Sequence, residues 1–286
     1  MVFVRNVTRC STSVVSELDR QLIAQMNLIV PNVLVSFINL NVDIGEPVWP
    51  LLQPPALASL QRAITSRGRQ MVVNSAYRTI AQQLILFNHA QQNRCGISIA
   101  ALPGLSNHQS GLALDVEDAA GWEPFLERQG WRRLMPQDPV HFDYIGSGTR
   151  DIRSTAVRAF QQLWNLNNPQ NTLTVDGAYG ARTQKALNES PIEGFPLGEK
   201  IPLDIRKRRL GSRVLRLTQP ILEGDDVREL QIALNKVGFN LEVDGYFGPT
   251  TDEVVRKFQA DKGLTVDGIV SAATLEALNM RVDMAA

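Results

Sequence analysis

The chain has 286 residues, of which 44% are apolar, 6% aromatic and 20% charged, and its 29 basic and 29 acidic side chains cancel. That length accommodates one large domain or a few small ones, and the apolar content excludes a largely disordered chain. The charge balance weighs against nucleic-acid binding, and no apolar run approaches the ~18 residues of a membrane-spanning helix.

In chain order, Met1 to Thr8 lacks a continuous apolar stretch and is broken by Arg5, so no secretory signal is expected and the export route is not visible. Ser16-Glu17-Leu18-Asp19 resembles a capping box and predicts a helix to about residue 29, before Pro31, with an extended core segment following. Pro50, Pro54 and Pro55 break the chain before a helix near 56–66. Gln70 to Asn74 reads as a strand and Thr79 to Gln92 as a helix with Ile80, Leu84 and Phe87 on one face. Leu112 to Val116 reads as a strand, Trp122 to Gln129 as a helix, and Trp131 to Leu134 and Val140 to Ile145 as strands. This order implies an α+β domain over residues 1–150, with helices beside an antiparallel sheet.

Beyond residue 150 the pattern becomes a repeat. Val-Arg-x-(Phe/Leu)-Gln occurs at Val157–Gln161, Val227–Gln231 and Val255–Gln259. Each copy is followed by Val-Asp-Gly, at Val175–Gly177, Val243–Gly245 and Val266–Gly268, and then by a threonine that opens a helical pattern. A fixed order of this kind marks repeated supersecondary units, with Asp-Gly as the turn and the pentapeptide as an amphipathic helix face. Charge follows the same division. Residues 1–150 carry 12 basic and 11 acidic groups, 151–198 carry 4 and 4, 199–219 carry 7 and 2, and 220–286 carry 6 and 12. The segment 199–219, with Arg206-Lys207-Arg208-Arg209, is read as a basic linker.

Histidine is scarce: only His89, His108 and His141 occur. A catalytic zinc needs three protein ligands and one open position, and His108, Asp115 and His141 would fill that shell. Gly111 permits a tight turn between the first two ligands. Asp138, three residues before His141, is placed to take a proton from water and return it to a leaving amine. Asp143 lies two residues past His141, on the same face of the expected strand. His89 is read as a surface or helix-packing residue. Cys10 and Cys95 could pair in an oxidising compartment or stay as buried thiols, and the sequence leaves both open.

These motifs resemble two known families. Ser106-x-His108-x-x-Gly111-x-Ala113-x-Asp115 followed by Asp138-x-x-His141, with Ser75-Ala76-Tyr77-Arg78-Thr79 upstream, is similar to the zinc D-alanyl-D-alanine carboxypeptidase family over roughly residues 55–148. That family includes D-Ala-D-Ala carboxypeptidases, dipeptidases, and endolysins that cut the L-alanyl-D-glutamate bond. The resemblance implies a zinc ion bound by His108, Asp115 and His141, Asp138 as general base and Arg78 as the clamp on the scissile carbonyl. Ser106, Gln83 and Tyr77 are further candidates for substrate contact, although Gln83 could be an exposed helix residue and Ser106 a local cap. The family often has an aromatic residue where this chain has Val140, and its dipeptidases a glutamate where this chain has Asp138. The latter departure leans toward the carboxypeptidase or endopeptidase branches.

Residues 220–280 resemble a peptidoglycan-binding domain, on the string Asp226–Gln231, Val243–Thr251, Phe258-Gln259 and Val266–Gly268. Residues 151–198 look like a partial copy. The expectation is a monomeric zinc peptidase acting on peptidoglycan stem peptides at the cell wall or in the periplasm. The alternatives are an endolysin-type endopeptidase and a non-catalytic wall-binding protein.

Overall fold

The computed structural model describes residues 2–202, 214–219 and 221–279; the basic run Arg206–Arg209 lies outside the described residues. The chain divides into two compact units, the larger holding Met1–Phe37 with Val42–Leu203, and the second holding Ile38–Asn41 with the residues from Asp204 onward. No described helix is long and apolar enough to cross a membrane.

The larger unit begins with α1 (Ser16–Ile29), then the short strands β1 (Val35–Ser36), β2 (Val42–Ile44) and β3 (Leu51–Leu52). Ser16 is the first helical residue rather than a cap. Asp19, the apparent capping-box acid, is buried and accepts hydrogen bonds from Trp49 Nε1 and Thr79 Oγ1 across the core. Pro54 and Pro55 open α2 (Pro54–Arg67), where their fixed φ suits the first turn, and Gly68 ends it at φ 67°. Next come β4 (Met71–Ser75) and α3 (Ile80–Gln91), the latter capped reciprocally by Thr79 and Gln82. They are followed by β5 (Ala113–Val116), α4 (Ala119–Glu127), β6 (Trp131–Arg132) and β7 (His141–Tyr144).

The main sheet has the order β2-β4-β5-β7-β6. It is antiparallel, as expected, except at the edge strand β2, which pairs in parallel with β4. Sequence reading missed β2, although Ile38-Asn39-Leu40-Asn41-Val42-Asp43-Ile44 alternates apolar and polar residues up to its end. β5 and β7 each bury three of four residues and β4 two of five, with Met71, Val73, Leu114, Val116 and Phe142 at or near zero exposure.

Helices α5 (Arg153–Asn167) and α6 (Ala181–Asn188) complete this unit. The apolar face of α5, including Val157, Phe160 and Trp164, is buried and packs with α1, α3 and α6. Residues 151–198 are therefore part of the larger unit and do not stand as a separate module. The start of the expected linker is tied down too: Arg20 Nε donates to Ile201 O at 2.7 Å, and Lys200 pairs with Glu17 at 2.7 Å.

The second unit packs α7 (Asp225–Lys236), α8 (Pro249–Asp261) and α9 (Ala272–Ala277) around Val227, Leu230, Leu234, Phe247, Val255 and Phe258. The repeated glutamine explains the repeated sequence. Gln231 Nε2 donates to Asp244 Oδ1 (2.7 Å), while its Oε1 accepts from Gly245 N (2.9 Å). Gln259 does the same with Asp267 and Gly268, and Gln161 with Asp176 and Gly177. Each glutamine clamps the Asp-Gly turn against the helix, and each reaches the threonine of the next helix at 3.3–3.4 Å. Buried polar atoms are thus paired at the tightest point of each copy.

Candidate metal centre

The register of the sheet builds the centre. Asp115 on β5 lies directly opposite His141 on β7, and Ser75 on β4 opposite Asp115, so three side chains share one row and one face. His108 arrives from outside the sheet, on a 3₁₀ turn over Asn107–Ser110 that ends at Gly111. Gly111 sits at φ 63°, and a Cβ there would run into Leu34 Cδ2. A side chain at this position would be strained twice over and would displace the turn that aims His108.

His108 Nε2, His141 Nδ1 and Asp115 Oδ1 form a triangle with sides of 3.2, 2.9 and 3.3 Å. A tetrahedral zinc with bonds of about 2.0–2.1 Å has ligand edges of about 3.3–3.4 Å. The outer nitrogens fix the tautomers: His108 Nδ1 donates to Ala76 O (2.7 Å) and His141 Nε2 to Asp143 Oδ1 (3.0 Å). Asp143 is itself held by Asn107 Nδ2 at 2.8 Å. Outward nitrogens bound to oxygen acceptors turn the inward nitrogens toward the shared point as ligands, which is how metal-binding histidines are usually oriented. Two imidazoles and one carboxylate are a donor set suited to zinc.

The electrostatics agree. Burial opposes charge on His141, but hydrogen bonds to Asp115 and Asp143, and their charges, outweigh it and lift the imidazole to about 9 with no ion bound. Burial holds His108 below its ordinary value, against the pull of Asp115. Burial would raise Asp115, yet the adjacent histidines and Arg78 keep it well below the usual carboxylate range. The centre therefore holds its anion firmly, and a cation or a proton must balance it.

Residues 54–146 match the D-alanyl-D-alanine carboxypeptidase family, and residues 223–278 match a peptidoglycan binding domain. The chain carries a zinc-family D-alanyl-D-alanine carboxypeptidase domain followed by a peptidoglycan-binding domain. A zinc D-Ala-D-Ala carboxypeptidase of Streptomyces albus G is 44% identical over 54 residues, 18% of this chain and 21% of that protein. An N-acetylmuramoyl-L-alanine amidase of Bacillus licheniformis is 34% identical over 112 residues, covering 36% of this chain and 30% of the amidase. Another amidase, from Mycobacterium tuberculosis, is 37% identical over 126 residues, 43% of this chain and 25% of its own length. The chain spans less than a third of the length of each of these relatives.

Around the candidate metal centre the other candidate residues fall into place unevenly. Arg78 Nη2 donates to Ser75 Oγ (2.8 Å) and faces Asp115 Oδ2 at 3.4 Å. Gln83 is buried, not an exposed helix residue: its Oε1 accepts from Arg78 Nη1 (3.1 Å) and its Nε2 donates to Ala101 O (2.7 Å). Gln83 therefore grips the guanidinium from behind. Burial pulls the Arg78 pKa down, opposed by the charges of Asp115 and Asp138. Asp138 is half-buried in a turn closed by a hydrogen bond from His141 N to its carbonyl (3.2 Å). Tyr77 is buried, with its hydroxyl toward Met26 Sδ, and burial pushes its pKa up. Ser106 precedes the histidine turn but makes no side-chain cap to it.

Sequence reading gave Asn107 and Ser75 no role. Asn107 lies 36 residues from the Asp143 it supports, so no local pattern could announce the pair. His89 is buried, with Nε2 3.0 Å from Arg9 O, and Cys10 and Cys95 form a disulfide.

Proposed function

We propose that this chain is a zinc-dependent peptidase that hydrolyses peptidoglycan stem peptides in the manner of a D-Ala-D-Ala carboxypeptidase, held on the cell wall by its C-terminal domain. The observation that carries this reading is the 3.2, 2.9 and 3.3 Å triangle of His108, His141 and Asp115 with a guanidinium at its edge. A zinc ion held by these three side chains supplies Lewis acidity toward water and the scissile carbonyl. A disulfide and a wall-binding domain both fit an extracytoplasmic wall location.

In this mechanism Asp138 takes the proton of the attacking water and passes it to the departing amine. Arg78, held by Gln83 and Ser75, stabilises negative charge on the carbonyl oxygen. His108 and His141 stay in fixed tautomers through Ala76 O and Asp143. The peptidoglycan-binding domain raises the local concentration of the polymer without adding a catalytic group.

The test is mass spectrometry of stem peptides after incubation with the purified chain. Release of terminal D-alanine is expected, with about one zinc per chain removable by chelator. Asp138→Ala should abolish release while zinc stays bound. An internal cut at L-alanyl-D-glutamate would replace the carboxypeptidase reading with the endopeptidase one. Equal behaviour of wild type and Asp138→Ala would sink both.

A further inference from the structure

A cleft of about 220 Å³ opens beside Arg78 and Asp115. One side belongs to the carboxypeptidase match and includes Asn74, Ser75 and Arg78. The other side does not: Ser11, Thr12, Pro47 and Val48 precede the matched residues 54–146. The wall facing the catalytic groups is thus supplied by an N-terminal arm and a proline loop outside the family's own stretch.

That wall is fastened at several points. Cys10 is bonded to Cys95. Gln82 Nε2 donates to Thr12 Oγ1 (3.1 Å) and to Pro47 O (2.9 Å), joining arm and loop to the first turn of α3. The buried His89, two turns further along α3, donates to Arg9 O at 3.0 Å. Two buried polar side chains and a disulfide hold the arm beside the cleft. On the facing side, the register of β4 against β5 shifts between Val73 and Ser75, making Asn74 the extra residue of a bulge. Bulges commonly re-aim a side chain beside an active site. Asn74 lines the cleft, is exposed, and its carboxamide makes no hydrogen bond among the described residues.

We infer that the stapled arm and Asn74 form the specificity wall of the active site, selecting a small residue, such as D-alanine, beside the scissile bond. This rests on the function proposed above. The volume of about 220 Å³ is below the roughly 300–1,000 Å³ of sites for drug-sized ligands and matches one or two small residues of peptide. Its lining carries the Arg78 guanidinium and the Asp115 carboxylate, the carboxamides of Asn74 and Gln82, and the hydroxyls of Ser11, Thr12 and Ser75, which suits the carbonyls and amides of a peptide with a short side chain. The arm bounds the size of that side chain, and Asn74 pairs with its backbone.

The test compares the zinc-loaded full chain with Asn74→Trp and with Cys10→Ser/Cys95→Ser, using acetylated peptides ending in D-Ala-D-Ala or D-Ala-D-Phe. Asn74→Trp fills the cleft and should raise KM for D-Ala-D-Ala about tenfold or more, with kcat within about threefold and zinc content unchanged. The double serine variant releases the arm and should raise the preference for D-Ala-D-Phe relative to D-Ala-D-Ala about tenfold. Should the serine variant fail to fold, Asn74→Trp decides alone. Unchanged KM in Asn74→Trp, or an unchanged preference in a folded serine variant, overturns the inference. If the wild type cuts neither peptide, the proposed function fails separately. The wall is then read by calorimetric titration of the D-Ala-D-Ala peptide, where Asn74→Trp must weaken binding about tenfold, and equal affinity again overturns it.

Discussion

Replacing Asp143 by alanine tests the metal centre without touching a ligand. Asp143 accepts the His141 Nε2 proton at 3.0 Å and is braced by Asn107 at 2.8 Å. Losing such a partner typically weakens metal affinity about 10–100-fold, or about 1.4–2.7 kcal/mol. A second effect runs the other way. With no ion bound, His141 titrates at about 9, so at neutral pH the metal must displace a proton. Two pH units below that value the competition is worth about a hundredfold, or about 2.7 kcal/mol. Asp143 supplies part of the lift, so Asp143→Ala lowers the His141 pKa and relieves part of that competition. The zinc deficit of the variant should therefore be larger near pH 9.5, where the proton no longer competes, than near pH 7. Competition with a chromophoric chelator at both pH values measures it, with circular dichroism confirming the fold. A deficit below about twofold at the higher pH, or one that shrinks on going from pH 7 to 9.5, would refute the orienting role of Asp143.

Other outcomes follow from the same geometry. In the metal-free protein the raised His141 pKa adds stability that is full below its unfolded value of about 6.5 and is lost as pH rises through about 9; zinc-induced stabilisation should grow over that window, as thermal melts with and without metal would show. Gly111→Ala forces a side chain into the left-handed region and against Leu34, and should cost about 2–4 kcal/mol and weaken zinc binding; chemical denaturation and chelator competition check both, and a neutral variant would mean the turn can shift freely. Gln231→Ala removes the clamp on Asp244 and Gly245, and should cost the second unit about 2–3 kcal/mol, lowering its calorimetric midpoint by about 10–20 °C. Gln83→Ala frees the Arg78 guanidinium and should lower kcat about tenfold or more while zinc content stays constant, measured by single-turnover D-alanine release.

Much of the centre was legible because its motifs are short and local. Two residues between Asp138 and His141, and a glycine between His108 and Asp115, are spacings that a sequence displays directly. Periodicity placed α1, α2, α3, β4 and β5 within a residue or two for the same reason. Local pattern misled where a side chain was recruited from afar. Asp19 looked like a cap and instead holds Trp49 and Thr79, because a buried indole N–H and hydroxyl need an acceptor more than a helix end in reach of water does. The repeat was visible three times over, yet α5 showed only that one face was apolar; that α1 covers it is a fact of packing.

The sequence by itself determined the candidate ligands, the order of the motifs and the repeated turn, since each depends on residues close along the chain. The tertiary structure alone decided which strands set Asp115 opposite His141, that Asn107 braces Asp143, that Cys10 meets Cys95, and that an arm from the N-terminus walls the cleft. Those contacts join residues 26 to 85 positions apart, and over such distances only the packing of the whole core selects the partner.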